Sequence, residues 1–386
     1  MALSHTNMNI ERIQTFKRYA YGNAITYRQA LRIKQAIILE TDGTESTAFA
    51  QFPALVARIY DLSSHQIDNH LVNFKEHKTT NAFQAFALAP APIRTSFEYM
   101  HPLIALNGAH TSGKYPMVLL AATGIDANEQ IVLLAFALVP VESKEWWLWF
   151  LRFLSEALEN GGINDNERHM VFLSDRNKGL ETALETVFPA AFHGMCVYHL
   201  SQNVKAKFGA GAPSFTFKIA KAKTRISYQL IIDELAIFSP GAARYLSATD
   251  LTQWIRFACA YPWYGHLTSN IAELLNSVLR ETRKLPPIQM INAIWEYIML
   301  TRFERKHRPQ CGHLATTPLE RYEHRTELAL HFTVNPSGNN VYQVGDLQGQ
   351  RFVVNLESGG TLCSCDKYAE YLSSCSYMIA VLKREA

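Results

Sequence analysis

Two carboxylates stand where separate elements could aim them at one reaction centre. Asp175 closes the apolar run Met170 to Ser174 inside SDRNKG, at a point where a side chain emerges from a sheet edge. Glu273 opens IAELLNSVLRETRKL. Acids from different elements suit metal-assisted phosphoryl chemistry, in which two divalent cations about 4 Å apart activate one oxygen and stabilise another. Mg2+ or Mn2+ would be the natural occupants, since such hard cations prefer oxygen ligands. Each acid also has a plainer reading. Asp175 suits a turn or helix N-cap before GLETAL. Asn270 and Glu273 have capping-box spacing, and the apolar stripe Ile271, Leu274, Leu275 and Leu279 points away from Glu273.

The cysteines offer a second chemistry. Six of them, at 196, 259, 311, 363, 365 and 375, are sparse for 386 residues and gather toward one end, which reads as reduced thiols rather than a disulfide framework. Cys363, Cys365 and Cys375 are spaced as zinc ligands around a hairpin and a helix start, three thiolates short of the four ligands that close a structural site. Cys196 and His199, in MCVYHL, form a C-x-x-H pair that by itself is a weak zinc signal, equally suited to a buried structural pair.

Basic residues cluster twice. Lys205, Lys207, Lys218, Lys221, Lys223 and Arg225 share a stretch with no Asp or Glu, and Arg302, Arg305, Lys306 and Arg308 follow in RFERKHR against only Glu304. Such runs suit phosphate contacts on nucleic acid, although a solvated face is the common alternative. Trp254, Trp263 and Tyr264 could stack on bases, but aromatic side chains are more often core.

The elements that must position these groups follow from pattern. Up to about residue 95, TYRQALRIKQAIILE and FPALVARIYDL repeat apolar positions at three and four, predicting a helical lead-in. From His101, PLIAL, YPMVLLAATG and QIVLLAFALVP read as three strands joined by turns. WWLWFLRFLSEALEN sets Trp147, Phe150, Leu151, Leu154 and Leu158 on one helical stripe. HMVFLSD is a short strand, GLETALETVF a helix and FHGMCVYHL another strand-like run. The order β-β-β-α-β-α-β predicts an α/β fold, a mixed sheet with flanking helices, an order that RNase H-like nuclease cores have and that an unrelated α/β domain would also fit. Residues 203–264 read as mainly helical, and VYQVGD and RFVVNL as short strands.

Composition narrows the class. Hydrophobic residues make up 48% and charged residues 18%, the profile of a folded chain long enough for several cores. The net charge of +3 is too small to argue for nucleic acid by itself. No secretory leader is expected from MALSHTNMNIERIQTF. Asp126, Asn128 and Glu129 break the greasiest stretch, Met117 to Val139, so no membrane span is expected.

The run LNGAHTSGKYPMVLLAATGIDANEQIVLLAFALVPVESKEWWLWFL, followed by SDRNKGLETALETVFPAAFHGMCVYHLSQN and SNIAELLNSVLRE, resembles the Mutator-like element (MULE) transposase family over about residues 29–305. The resemblance implies an RNase H-like core over 96–305 with a helical insertion at about 203–264, Mg2+ or Mn2+ at an acid triad, DNA as partner, self-association and a nuclear location. Matching the motifs puts the second acid on Asp175 and the third on Glu273, but the first on Asn107, whose amide offers a neutral oxygen where an anionic bridging ligand is wanted. His110 matches the histidine of the opening motif, and Cys196 with His199 its C-x-x-H. Asp126 falls on a non-catalytic turn position and is not expected to substitute for the missing acid. LCSCDKYAEYLSSCSYM resembles the SWIM zinc finger that commonly follows such cores, implying a small ββα zinc-finger-like module over 330–386 that holds Zn2+. Tyr377 stands at the histidine ligand position, and a phenol is a poor zinc ligand. The reading expected from these departures is a catalytically impaired, transposase-derived DNA-binding protein; a working transposase and an inert element copy are the alternatives.

Overall fold

The computed structural model describes residues 49–64, 71–80, 82–91, 96–159, 170–175, 178–259, 261–266, 270–306, 315–356, 362–365, 367–368 and 373–385, together with 14, 15, 18, 22, 25, 29 and 33. Helix α1 (Phe52–Ser64) precedes strands β1 (Leu71–Glu76), β2 (Phe83–Ala89), β3 (Leu103–His110), β4 (Val118–Ile125) and β5 (Ile131–Val139). Then come α2 (Lys144–Glu159), β6 (Val171–Ser174), α3 (Lys178–Val187) and β7 (Phe192–Met195). These seven strands form one mixed sheet in the order β1-β2-β5-β4-β3-β6-β7. The pairs β3/β6 and β6/β7 are parallel and the others antiparallel.

Near-continuous burial explains why the central strands carry almost no polar residues. Every residue of β4 is buried, and all but the first of β5, because helices cover both sheet faces. The stripe of α2 behaves as its spacing requires: Trp147, Phe150, Leu151, Leu154 and Leu158 are all buried.

Two regions differ from the sequence expectation. The lead-in is not purely helical, because β1 and β2 form an antiparallel hairpin that extends the sheet beyond β5. FQAFALA is rich in alanine and buried on both faces, so it lacks the period-two alternation that marks a half-buried strand; tertiary pairing overrides its propensity. Most of TYRQALRIKQAIILE lies outside the described residues. The C-terminal module is larger than a ββα unit: β8 (Thr333–Gly338), β9 (Val341–Gly345), β10 (Arg351–Asn355) and the short β11 (Leu362–Cys363) make a four-stranded antiparallel sheet, followed by α11 (Ser376–Glu385). The Pro336 in β8 hid that strand, and there it sits at the edge, where a missing N–H is tolerated.

Between sheet and module lie α4 (Val197–Phe208), α5 (Pro213–Ala220), α6 (Arg225–Phe238), α7 (Pro240–Ser247), α8 (Asn270–Val278), α9 (Pro287–Lys306) and α10 (Thr316–Ala329). Helices α4 to α7 build a core of their own that is continuous with Leu103, Ala105, Val171 and Leu173 of the sheet. The insertion is thus packed on the sheet face to which the odd-numbered residues of β3 and β6 point. No described helix is long and apolar enough to cross a membrane.

Candidate functional site

Strand register decides which of the triad-position residues meet. Parallel β3 and β6 place Leu103, Ile104 and Ala105 opposite Val171, Phe172 and Leu173. The recorded pairing ends there; continued for two residues, the same register would set Asn107 of β3 beside Asp175, one residue past the end of β6, at about the 4.8 Å strand spacing and on the same face. The opposite face is taken at this point. An ideal Cβ on Gly108 would stand 2.9 Å from the Glu142 carboxylate carbon, and Glu142 Oε1 accepts a hydrogen bond from Trp147 Nε1 at 3.1 Å at the start of α2. Gly108 is therefore where the strand needs no side chain, and Asn107 is left facing the other way.

Glu273 lies in the first turn of α8, which packs against β3, β4 and β5. Its side chain, and the Asn270–Glu273 capping box expected from spacing, lie outside the described residues. Leu275 and Leu279 are buried as the stripe predicted, whereas Leu274 is 56% exposed and does not belong to it. A guanidinium ties this helix to β3: Arg283 donates from Nη1 to His110 O at 2.8 Å and from Nη2 to Asn276 O at 3.3 Å, while its own carbonyl accepts from Ser112 N at 3.0 Å. The His110 side chain is exposed at the end of β3.

Asp175 is held from behind. The buried Ser174 hydroxyl donates to Asp175 O at 2.9 Å, and His193 on β7 stands with Nε2 2.7 Å from the same Oγ. With the Ser174 proton directed at the carbonyl, the imidazole is the donor through a proton on Nε2. Burial favours that neutral form, pushing the His193 pKa down to about 4 against the upward pull of Glu185 and Asp175.

Asp126 serves the fold. Its Oδ1 accepts from the backbone N–H of Asn128 and Gln130, both at 2.9 Å, and its Oδ2 lies 3.6 Å from Arg305 Nη1. His101 N bonds to Ile125 O, so this turn lies beside the start of β3, roughly 20 Å along the strand from Asn107 by the rise per residue. Among the described side chains, the Asn107 edge offers one carboxylate and one neutral amide.

The three C-terminal thiols do converge: the Sγ atoms of Cys363, Cys365 and Cys375 lie within 4.8 Å of one another and are buried. Cys375 begins α11, its sulfur accepting from Met378 N at 3.4 Å, and Arg325 of α10 pins the approach by donating to Ser373 Oγ at 2.9 Å and Ser374 O at 2.8 Å. Hydrogen bonds from Cys363 and Cys375 hold Cys365 well below the ordinary thiol range, while Cys363 is held above it by the same sharing. Three converging thiols fit a soft divalent cation such as zinc, which takes cysteines as thiolates. Tyr377 is not poised as a fourth ligand. Its hydroxyl donates to Asp346 Oδ2 at 2.9 Å, its ring packs against Phe332 and Phe352, and burial and that hydrogen bond raise its pKa.

The Cys196 thiol caps a helix, with His199 contributing its backbone N–H. Cys196 is the N-cap of α4, its buried sulfur accepting from His199 N at 3.5 Å. The aromatic residues considered for base stacking are core: Trp254, Trp263 and Tyr264 are buried, with Trp254 Nε1 donating to Thr249 Oγ1 at 2.9 Å. Of the basic residues, Lys205, Lys221 and Arg225 are exposed, as are Arg302 and Lys306, and Arg308 lies outside the described residues. Lys207 lies over the Tyr245 ring, Lys218 is 3.9 Å from Glu234, and Lys223 donates to Cys365 O at 3.3 Å. Arg305, between Asp126 and Ile131 O, braces the β4–β5 turn. Arg283 and the Ser174–His193 pair carried no local signal in sequence, since each acts through an element distant along the chain.

Residues 103–203 match the family model described as the MULE transposase domain. Protein FAR1-RELATED SEQUENCE 6 of Arabidopsis thaliana is 22% identical over 264 residues, covering 66% of this chain and 32% of the relative. The transposase for insertion sequence element IS905 of Lactococcus lactis is 23% identical over 192 residues, 47% of each protein. The chain thus spans about a third and about a half of these two curated relatives. The matched segment runs from the start of β3 into α4, taking in both Asn107 and Asp175. Over that segment the chain is similar to the MULE transposase domain, and the relatives it matches include a transposase.

Proposed function

We propose that this chain is a transposase-derived DNA-binding protein whose strand-cleaving chemistry is impaired at Asn107. What supports the reading is the parallel β3/β6 register, which continued two residues beyond Ala105 and Leu173 would put an amide, rather than a second carboxylate, beside Asp175 on an RNase H-like arrangement of strands. A neutral oxygen cannot bridge two cations as an anion does, so both metal affinity and activation of the attacking oxygen fall. Asp126 supplies no replacement, being committed to its turn and to Arg305. The exposed Lys205, Lys221, Arg225, Arg302 and Lys306 retain the charge that a phosphate backbone attracts. The C-terminal thiols would hold Zn2+ as three thiolates, stabilising the module that carries them. The same reading places the protein in the nucleus, and self-association belongs to it.

The test is duplex DNA binding measured across salt concentration, with the products run on a denaturing gel in Mg2+ and Mn2+. Binding that weakens steeply with salt, without cut strands, is expected. Cleavage by the unaltered protein, or no binding at low salt, would overturn the reading.

A further inference from the structure

The loop after β3 and the turn after α8 are pressed together, and cationic side chains gather at the seam. An ideal Cβ on Gly113 would stand 2.5 Å from Lys284 O, so the two backbones touch, and Ser112 N bonds to Arg283 O at 3.0 Å. Lys114 follows Gly113 directly and is exposed. Arg280 is exposed one turn before Arg283, close enough that its charge adds to burial in lowering the Arg283 pKa. Arg283 Nε is buried without a hydrogen-bond partner. Lys284 is paired with Glu281 at 2.7 Å, but among the described residues Lys114, Arg280 and Arg283 have no carboxylate partner.

Arg280 and Arg283 lie one turn apart and, among the described residues, neither is ion-paired to a carboxylate, so their charges repel and an anion beside the exposed Arg280 relieves them. The seam lies about 10 Å beyond Asn107 along β3 by the rise per residue. It also belongs to neither basic run visible in the sequence. We propose that Lys114 and Arg280, brought to one seam by the Arg283 brace, grip phosphate and hold the backbone of a DNA strand beside the Asn107 end of β3. The forked guanidinium of Arg280 suits phosphate oxygens, and the ammonium of Lys114 adds a point charge. This inference rests on the reading of the chain as DNA-binding and adds where, beside the acid positions, the strand is held.

The experiment uses the full chain and fluorescence anisotropy on a duplex across a salt series. Arg283 is left intact because it braces α8. Lys114→Gln/Arg280→Gln removes two exposed cations from the seam, and Lys78→Gln/Lys144→Gln removes two exposed cations elsewhere. Each lost phosphate contact lowers the slope of log K against log salt by about 0.9, so the seam variant is expected to be shallower by roughly 1.8 while the control pair stays near the unaltered slope. Lys114→Arg/Arg280→Lys, which preserves charge, is expected to restore the slope. If the duplex is bound but the seam and control variants respond alike, the seam is wrong and DNA binding stands. If the unaltered protein binds no duplex, the seam and the functional reading fall together.

Discussion

Restoring an acid at position 107 tests the site without requiring turnover. In Asn107→Asp, two carboxylates would face each other from adjacent strands about 5 Å apart. Their repulsion is about 1 kcal/mol in a water-like dielectric and about 3 kcal/mol at an effective dielectric of 20. Asn107 and Asp175 are both partly exposed, which places the cost toward the lower figure. The variant should therefore melt about 2–4 °C below the unaltered protein in buffer without added divalent ions. Mn2+ should reverse the deficit, because a cation bound between two carboxylates stabilises the folded state by about 2.7 kcal/mol at a hundredfold excess over its Kd. Differential scanning calorimetry with and without Mn2+ measures both effects. Asp175→Ala in the same background should remove the repulsion and the metal response together. A variant that melts with the unaltered protein and ignores Mn2+ would show that positions 107 and 175 do not share a site.

Other consequences are equally direct. His193 is pushed down to about 4 from an unfolded value near 6.5, so the unfolded chain takes up the proton first. Stability is full above about pH 7 and should fall by about 3 kcal/mol as pH drops from 6.5 to 4; urea melts should show this slope flattened in His193→Gln. Cys375→Ser should abolish bound zinc measured by elemental analysis, whereas Tyr377→Phe should leave the zinc content unchanged, since the Tyr377 hydroxyl is engaged by Asp346. A drop in zinc with Tyr377→Phe would make Tyr377 a ligand. Gly113→Ala forces a methyl against the Lys284 carbonyl and should cost about 1–3 kcal/mol in urea unfolding, with an unchanged midpoint counting against the close seam.

The strands of the core were legible because their burial is continuous: YPMVLLAATG and QIVLLAFALVP had few polar residues to misplace, and they became β4 and β5. The helix stripe of α2 was legible for the complementary reason, as one buried face at a fixed spacing. The hairpin of β1 and β2 was not, because its alanine-rich strand draws its identity from pairing with β5. At the site, a motif match named Asn107 and Asp175, but their adjacency is a property of register, 68 residues apart in sequence and one strand apart in the sheet. The basic runs were visible as composition, yet Lys223 proved to contact Cys365 and Arg305 to hold Asp126, pairings that no local spacing reveals. Tyr377 was suspect as a ligand from its chemistry, while the Asp346 that engages its hydroxyl lies 31 residues away.

The most direct test of the central claim is metal-dependent cleavage of duplex DNA by the unaltered protein, by Asn107→Asp and by Asn107→Asp/Asp175→Ala, each purified in parallel. The account predicts cut strands from the single variant alone. Cleavage by the unaltered protein that depends on Asp175 would contradict it, because Asn107 would then be a sufficient ligand.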